Sequence, residues 1–255
     1  YDVLDYPLKA EEVFNYLIKL ETRGTLVDTM VSPAKPLDPL DIRRELDQLV
    51  LERILGFDTS YYFLFDREYL IPLRHKKAAI SERKLTRARR IIRWLAWLPY
   101  VEAVFASGSL GLGNCDELSD LDVLIVAKYG RIWTARFLIT IWLSLFGLRR
   151  KPHQKIAPNK ICHNHYITDQ SLAIPFHTLY NAQTYLPLKP LYIRNLKIVG
   201  DFYKHNPWLG DYLLTFNQPT FDISSYQKLG LPRRGNWFSR ILKKIGESIL
   251  DTAVG

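Results

Sequence analysis

The sequence has few cysteines, no internal repeats and no long apolar run, and each absence excludes a class of protein. Its two cysteines, Cys115 and Cys162, are too few for a disulfide framework and fit a reducing compartment. The most apolar stretch has about a dozen apolar residues after Arg136, fewer than the roughly 20 that span a bilayer. No secretory signal is visible, so we expect a cytoplasmic protein without a membrane span.

The composition is that of an ordinary globular protein with a basic surface. A chain of 255 residues, 47% of them hydrophobic, can build one sizeable core or two small domains. A formal net charge of +9 and a pI near 9.4 favour an anionic partner. A nucleotide, a nucleic acid and a membrane surface all satisfy this condition, and charge does not choose among them.

A pair of carboxylates marks the start of an apolar run, Leu121 to Ala127, that predicts a strand. Because side chains alternate along a strand, Asp120 and Asp122 point to one side while Leu121 and Val123 point into the core. Two carboxylates held so close repel each other unless a divalent cation lies between them. Oxygen ligands of this kind favour Mg²⁺, which takes its remaining ligands from water and a polyphosphate.

A second predicted strand, Val101 to Ala106, leads into a Gly-Ser turn upstream of the carboxylates. Gly108 lets the backbone approach a ligand closely, and Ser109 opens a turn or helix with free N–H groups. Such groups bind phosphate oxygens, so this stretch predicts a phosphate-binding turn that faces a metal site.

The order of these features resembles the signature of the DNA polymerase beta-like nucleotidyltransferase superfamily. The signature consists of a hydrophobic strand, Gly108-Ser109, ten residues, Asp120-Leu121-Asp122 and a second hydrophobic strand. The resemblance implies that Asp120 and Asp122 bind Mg²⁺ or Mn²⁺ and are catalytic. It also implies that Gly108 and Ser109 hold the phosphates of a nucleoside triphosphate, within a small mixed sheet flanked by helices.

The same resemblance implies a third carboxylate on the next strand, predicted over Lys160 to Thr168, and the sequence departs from it. No acid lies inside this strand, and Asp169 follows its end. Strict alternation puts Asn164 on the face opposite the two histidines, so we expect Asn164 in the third ligand position. Its amide oxygen binds Mg²⁺ but is a poor proton acceptor. Cys162 and the neighbouring histidines also suggest Zn²⁺, but they lack a second paired ligand motif.

The apolar run after the motif predicts a buried core helix over Arg131 to Leu148. Arg131 and Arg136 lie on its first turns, close in sequence to the end of the aspartate strand. Two interpretations stay open: these arginines bind a phosphate of the nucleotide, or they cap local carboxylates.

The first 77 residues are predicted to form a separate module. A helix is expected from near Lys9 and another over Leu40 to Leu55, followed by a hairpin of Tyr61 to Phe65 with Tyr69 to Leu73. This order is similar to that of a winged-helix domain. Its second helix, in the recognition-helix position, carries both acidic and basic residues. Nucleic-acid binding and packing against protein are therefore both retained as hypotheses.

The densest positive charge lies between Arg74 and Arg93, on a predicted helix that leads into the first catalytic strand. Either these cations are a solvated helix face, or some of them bind a polyanion such as nucleic acid, with a steep dependence on salt. The region after residue 170 is predicted to be mostly helical, with helices over Phe176 to Tyr185, Arg194 to Lys204 and Trp237 to Leu250.

Together these patterns predict an α+β protein of three parts: a winged-helix-like module (1–77), a small mixed-sheet nucleotidyltransferase core (78–170) and a helical C-terminal region (171–255). The expected function is metal-dependent transfer of a nucleoside monophosphate from a nucleoside triphosphate to a hydroxyl of RNA, a small molecule or a protein. The alternative is a catalytically weak or inactive relative that binds nucleotides or nucleic acid as a regulator. The oligomeric state is left open.

Overall fold

The structure is a computed structural model that describes residues 4–18, 38–95 and 97–212. The helix predicted over Trp237 to Leu250, with the rest of the chain after Tyr212, lies outside the described residues. The helices are α1 (Ala10–Tyr16), α2 (Pro39–Leu51), α3 (Leu70–Leu95), α4 (Gly108–Leu112), α5 (Ile132–Leu145), α6 (Leu179–Tyr185), α7 (Lys197–Lys204) and α8 (Leu209–Tyr212). The strands are β1 (Leu55–Asp58), β2 (Tyr61–Leu64), β3 (Val101–Ala106), β4 (Leu121–Ala127), β5 (Ile161–Thr168) and β6 (Lys189–Ile193).

The described residues form two compact units. One contains residues 4–18, 38–77, 177–182 and 207–212, and the other contains residues 78–95, 97–176 and 183–206. Helix α3 continues through the division between Lys77 and Ala78. Residues 171–212, which the sequence analysis assigned to a separate region, are thus divided between the two units.

The second unit is built on a four-stranded mixed sheet with the strand order β5-β4-β3-β6. Strand β3 pairs antiparallel with both β4 and β6, and β4 pairs parallel with β5. The α+β class and the small mixed sheet flanked by helices are therefore confirmed. Residues of β4 that face the helices, among them Leu121, Val123 and Ile125, share a buried cluster with residues of α3 and α5.

Helices α6 and α7 lie within the helices predicted after residue 170, but strand β6 between them was not predicted. Its residues Leu191, Tyr192 and Ile193 favour a strand, and they are buried. Pro190 lies opposite Phe105, beside a register shift in the pairing of β3 with β6. Proline has no N–H to donate, so it is tolerated at an irregular position of a strand and does not exclude one.

The hairpin of the first unit lies earlier in the chain than predicted. Strand β1 pairs with β2, and the connecting residues Thr59 and Ser60 have φ angles of 47° and 78°. Two positive φ values make the tight turn that suits a hairpin, but neither residue is a glycine or asparagine that would have indicated it. The segment Tyr69 to Leu73, predicted as a strand, contains the first turn of α3, where Pro72 is tolerated.

Arg74, the first cation of the basic run, is buried in the first unit. Its guanidinium donates to the Pro7 carbonyl and to the Glu12 carboxylate, and its Cζ lies 3.8 Å from the ring centroid of Tyr6. A cation enclosed in this way stabilises the fold and is not accessible to a polyanion. Arg74 is therefore neither part of a solvated helix face nor one of the cations that could bind a polyanion.

Helix α5 buries one side only, through Ala135, Ile139 and Leu143. Its outer side exposes large apolar residues to solvent, namely Trp133, Phe137, Ile141 and Leu145. The prediction of a buried core helix is thus wrong for half of its surface. The sequence is apolar on all sides of this helix, so hydropathy does not distinguish the packed side. None of the described helices is long and apolar enough to cross a membrane.

Burial of His163 on β5 should make stability depend on pH. Burial and the nearby Arg149 and Arg136 lower the pKa of His163 from 6.5 to about 4, so the folded protein keeps this ring neutral. Between these two values the unfolded chain binds a proton that the folded chain does not. The free energy of unfolding should therefore fall by about 3 kcal/mol as the pH is lowered from 6.5 to 4.

Urea unfolding at a series of pH values measures this effect. His163→Gln should make the free energy of unfolding nearly independent of this titration between pH 6.5 and 4. His153→Gln, at an exposed position, should leave the pH dependence as in wild type. If the free energy of unfolding of wild type and of His163→Gln depends on pH in the same way, His163 is not the cause of this dependence.

Candidate functional site

The two aspartates of the motif lie at the N-terminal end of β4. Leu121 and Val123 are buried among core side chains, while Asp120 and Asp122 are only partly buried. The alternation of the strand thus separates the carboxylates from the core. Burial and the neighbouring Asp120 carboxylate raise the pKa of Asp122.

The Gly-Ser turn lies directly against Asp122. The backbone N–H of Ser107 donates to the Asp122 carbonyl at 3.1 Å, which joins the end of β3 to the start of β4. Gly108 has a φ of +55°, and a Cβ atom there would lie 3.3 Å from Asp122 Oδ2. Glycine therefore allows both the backbone conformation and the close approach to the carboxylate. The Ser109 hydroxyl lies 3.6 Å from the Cys115 sulfur.

Helix α3 holds the loop between α4 and β4. The Ser81 hydroxyl accepts a hydrogen bond from the backbone N–H of Cys115 at 2.8 Å. The buried Lys84 ammonium donates to the Ser119 carbonyl at 2.7 Å and to the Glu117 carbonyl at 3.1 Å. Its third contact, at 3.0 Å, is the side-chain oxygen of Asn159, in the loop before β5. Lys84 therefore fixes the loops that precede both β4 and β5.

Strand β5 brings Cys162 to the position beside Asp122. The parallel pairing aligns Asp122 with Cys162 and Leu124 with His165, so β5 has one more residue than β4 in this interval. This extra residue interrupts the alternation, and Cys162 rather than Asn164, which the sequence analysis expected in the third ligand position, aligns with Asp122. The exposed Asn164 instead donates from Nδ2 to the Cys162 sulfur at 3.3 Å.

Ligand atoms of Asp120, Asp122 and Cys162 all lie within 4.8 Å of one another. Among the residues that the structure describes, this is the group of acidic, cysteine and histidine side chains close enough to hold one metal ion. Burial and the Asp122 carboxylate raise the pKa of the Cys162 thiol from 9.0 to about 12. The thiol is thus protonated at neutral pH in the protein without a metal.

Arg150 is a member of the site that the sequence analysis missed. Its Nη1 donates to Asp120 Oδ2 at 2.5 Å and lies 3.8 Å from the Cys162 sulfur. The backbone N–H of Arg150 donates to the Ile161 carbonyl, which ties this residue to the start of β5. No spacing rule connects Arg150 with Asp120, because a loop and a parallel strand pairing bring them together.

His165 and Tyr185 form a second missed contact in the same unit. His165 Nδ1 lies 2.9 Å from the Tyr185 hydroxyl, and the two rings are stacked with centroids 5.7 Å apart. His165 is one of the groups that partly offset the raised pKa of Asp122, so the histidine lies near that carboxylate. Strict alternation had placed His165 on the opposite face, away from Cys162.

The structure does not bring Arg131, Arg136 or Asp169 to the aspartates. Arg131 lies just before α5, with its Cζ 5.8 Å from the centroid of the Tyr100 ring. The Tyr100 carbonyl accepts a hydrogen bond from the backbone N–H of Lys128, so this contact lies at the C-terminal end of β4. Arg136 lies against the rings of Trp133 and Tyr166. Asp169 pairs with Lys128 at 2.6 Å. Strand β4 separates its two ends by about 20 Å, and the aspartates lie at the other end.

Three exposed cations of α3 lie along a shallow groove in the second unit. Arg83, Arg87 and Arg90 line it together with the buried Lys84 and with Glu117. Arg83 forms an ion pair with Glu117 at 2.7 Å, and both side chains are solvent-exposed. This groove is one part of the basic run that a polyanion can reach, and Lys76 and Arg93 are exposed outside it.

Comparisons with models of known protein families, with curated proteins and with solved structures find no match for this chain. The resemblance to nucleotidyltransferases therefore stays a prediction from the motif residues.

Removal of the Lys84 ammonium should loosen the site and destabilise the second unit. Lys84→Met keeps the apolar stem but leaves the oxygens of Glu117, Ser119 and Asn159 without their donor. We expect the free energy of unfolding to fall by about 2 kcal/mol or more, as measured by urea unfolding. Arg87→Met, at an exposed position of the same helix, should change it by less than about 0.5 kcal/mol. Equal stability of the two variants would show that other contacts hold the loops.

Proposed function

We propose that this protein transfers a nucleoside monophosphate from a nucleoside triphosphate to a hydroxyl acceptor, with a divalent cation bound at Asp120 and Asp122. The observation that carries the proposal is the grouping of these two carboxylates with Cys162, within 4.8 Å, beside the Gly108 turn. Phosphoryl transfer depends mostly on positioning and on electrostatic stabilisation, which a clamp of this composition provides.

The ligand set fits a single Mg²⁺ or Mn²⁺ ion. The ligand atoms of the three side chains lie within 4.8 Å of one another, so one ion could contact all three. An ion held by these residues would supply positive charge toward the triphosphate and the transferred group. Cys162 offers a softer atom than a carboxylate, so Mn²⁺ should bind better than Mg²⁺.

The turn after β3 has the chemistry of a phosphate-binding element. The close contact of Gly108 with Asp122 puts the backbone N–H groups at the start of α4 beside the carboxylates. Because the Ser109 hydroxyl lies near the Cys115 thiol, we assign phosphate binding to the backbone N–H groups of Gly108 and Ser109. The acceptor hydroxyl belongs to RNA, a small molecule or a protein, and the groove of α3 cations favours a polyanion such as RNA.

A second candidate function is favoured by the composition of the third position. Cys162 is a protonated thiol where a third carboxylate would act as base, and Arg150 already neutralises Asp120. A protein with these properties binds a nucleotide or nucleic acid and regulates a partner without turnover. The two functions differ in whether any labelled nucleoside monophosphate becomes covalently attached to an acceptor.

Replacement of both aspartates should abolish transfer. Each labelled nucleoside triphosphate is incubated with the protein, Mg²⁺ or Mn²⁺, and pools of RNA, small molecules and proteins. Asp120→Asn with Asp122→Asn should lower transfer at least about 100-fold and remove Mn²⁺ binding measured by electron paramagnetic resonance. Asp169→Asn, at the other end of β4, is the matched control and should retain both. Transfer that survives the double change would contradict the site assignment.

A carboxylate at position 162 should complete the site. Cys162→Asp puts a third acid beside Asp122, which should raise transfer with Mg²⁺ relative to wild type, because Mg²⁺ prefers oxygen ligands. Cys162→Ser keeps the size of the cysteine side chain but adds no carboxylate, so it should not raise transfer with Mg²⁺.

Transfer rates in Mg²⁺ and in Mn²⁺, together with nucleotide affinity from calorimetry, measure the effect. Nucleotide binding without transfer by wild type and by Cys162→Asp would favour the regulatory function. Equal rates for the aspartate and serine variants would show that the third position does not limit turnover.

A further inference from the structure

The outer side of α5 exposes a continuous apolar stripe. Trp133, Phe137, Ile141 and Leu145 follow one another at intervals of four residues, with exposed fractions of 75%, 63%, 49% and 77%. The opposite side of the helix is packed through Ala135, Ile139 and Leu143. The stripe is therefore a surface of a firmly held helix, and large exposed apolar patches mark interaction sites.

The helix that carries this stripe and the sequence on either side of it contain no acidic residue. Between Val123 and Thr168 the sequence contains eight lysines or arginines and no aspartate or glutamate. Arg136 lies beside the stripe, with its Cζ 5.7 Å from the Trp133 ring centroid, and Lys151 and Lys155 are exposed shortly after the helix. An occupant of this face must therefore be apolar on its inside and anionic on its outside.

We propose that the outer face of α5 docks onto an anionic lipid surface, with the helix lying in the plane of the interface. Apolar side chains including Trp and Phe enter the boundary between headgroups and acyl chains, while flanking cations bind anionic headgroups. Lys151 and Lys155 supply part of this electrostatic attraction. The proposal does not depend on nucleotidyl transfer, because neither the stripe nor these lysines belongs to the aspartate site.

Two other occupants fit the observations less well. A second copy of the chain in a two-fold contact would bring the exposed Arg136 of both helices to the same interface, and like charges repel. The phosphates of a nucleic acid would pair with the cations, but the apolar side chains of the stripe would stay exposed to water. A lipid surface that carries negative charge satisfies both features.

Flotation of the full chain with vesicles tests the proposal. The protein should float with vesicles of phosphatidylcholine mixed with phosphatidylglycerol, and much less with phosphatidylcholine alone or at high salt. Trp133→Ser should weaken binding at least about tenfold, because it removes a large inserted side chain. Trp94→Ser, which changes an exposed tryptophan of α3, is the matched control and should leave binding unchanged. Lys151→Gln with Lys155→Gln should weaken it about fivefold per lysine removed.

Circular dichroism checks that the variants are folded, and Leu145→Ser replaces Trp133→Ser if the latter is not. Failure of the wild type to float with anionic vesicles at low salt would overturn the proposal, as would equal binding by Trp133→Ser and wild type. Self-association that rises with protein concentration and is lost in Trp133→Ser would assign the face to a second copy instead.

Discussion

The candidate site depends on the contacts of one buried ammonium group. Lys84 donates to carbonyl oxygens of Glu117 and Ser119, which lead into β4, and to the side chain of Asn159, which leads into β5. Two backbone bonds continue this connection, from Asn159 to the Ser119 carbonyl and from Leu121 to the Lys160 carbonyl. Burial lowers the pKa of Lys84, and the surrounding oxygens compensate part of the cost of the charge. The two strands that carry the ligands thus start from one fixed point on α3.

An extra residue in β5 then decides which side chains enter the site. The register aligns Asp122 with Cys162 directly and resumes at Leu124 with His165. A strand bulge moves every later side chain to the other face, so His165 comes to lie near the carboxylates. His163 is left buried against the Tyr166 hydroxyl, at 3.0 Å. The same bulge therefore makes one histidine structural and brings the other to the edge of the site.

Short-range patterns predicted the fold class and the local geometry well, because they depend only on neighbouring residues. The alternation of Asp120 and Asp122 with core residues and the glycine turn follow from such patterns. The predictions that were wrong or missing concern residues far apart in the sequence, or turns and strands without a characteristic residue. The hairpin turn at Thr59 and Ser60 contains no glycine or asparagine, which typically mark such turns. Pro190 made the segment of β6 look unlike a strand. Arg150 reaches Asp120 through tertiary structure alone, so no spacing in the sequence indicates it.

The charges of the site also link cation binding to nucleotide binding. Asp120 and Asp122 carry two negative charges, and Arg150 compensates one of them at 2.5 Å from Asp120. Without a cation the carboxylate that Arg150 does not pair with repels a triphosphate, and a divalent ion reverses that effect. Since each ligand then improves the field for the other, the cation and the triphosphate should bind cooperatively, with equal coupling in both directions. The protonated Cys162 thiol adds no charge to this balance until a metal replaces its proton. The thiol therefore keeps the free site less acidic than a third carboxylate would.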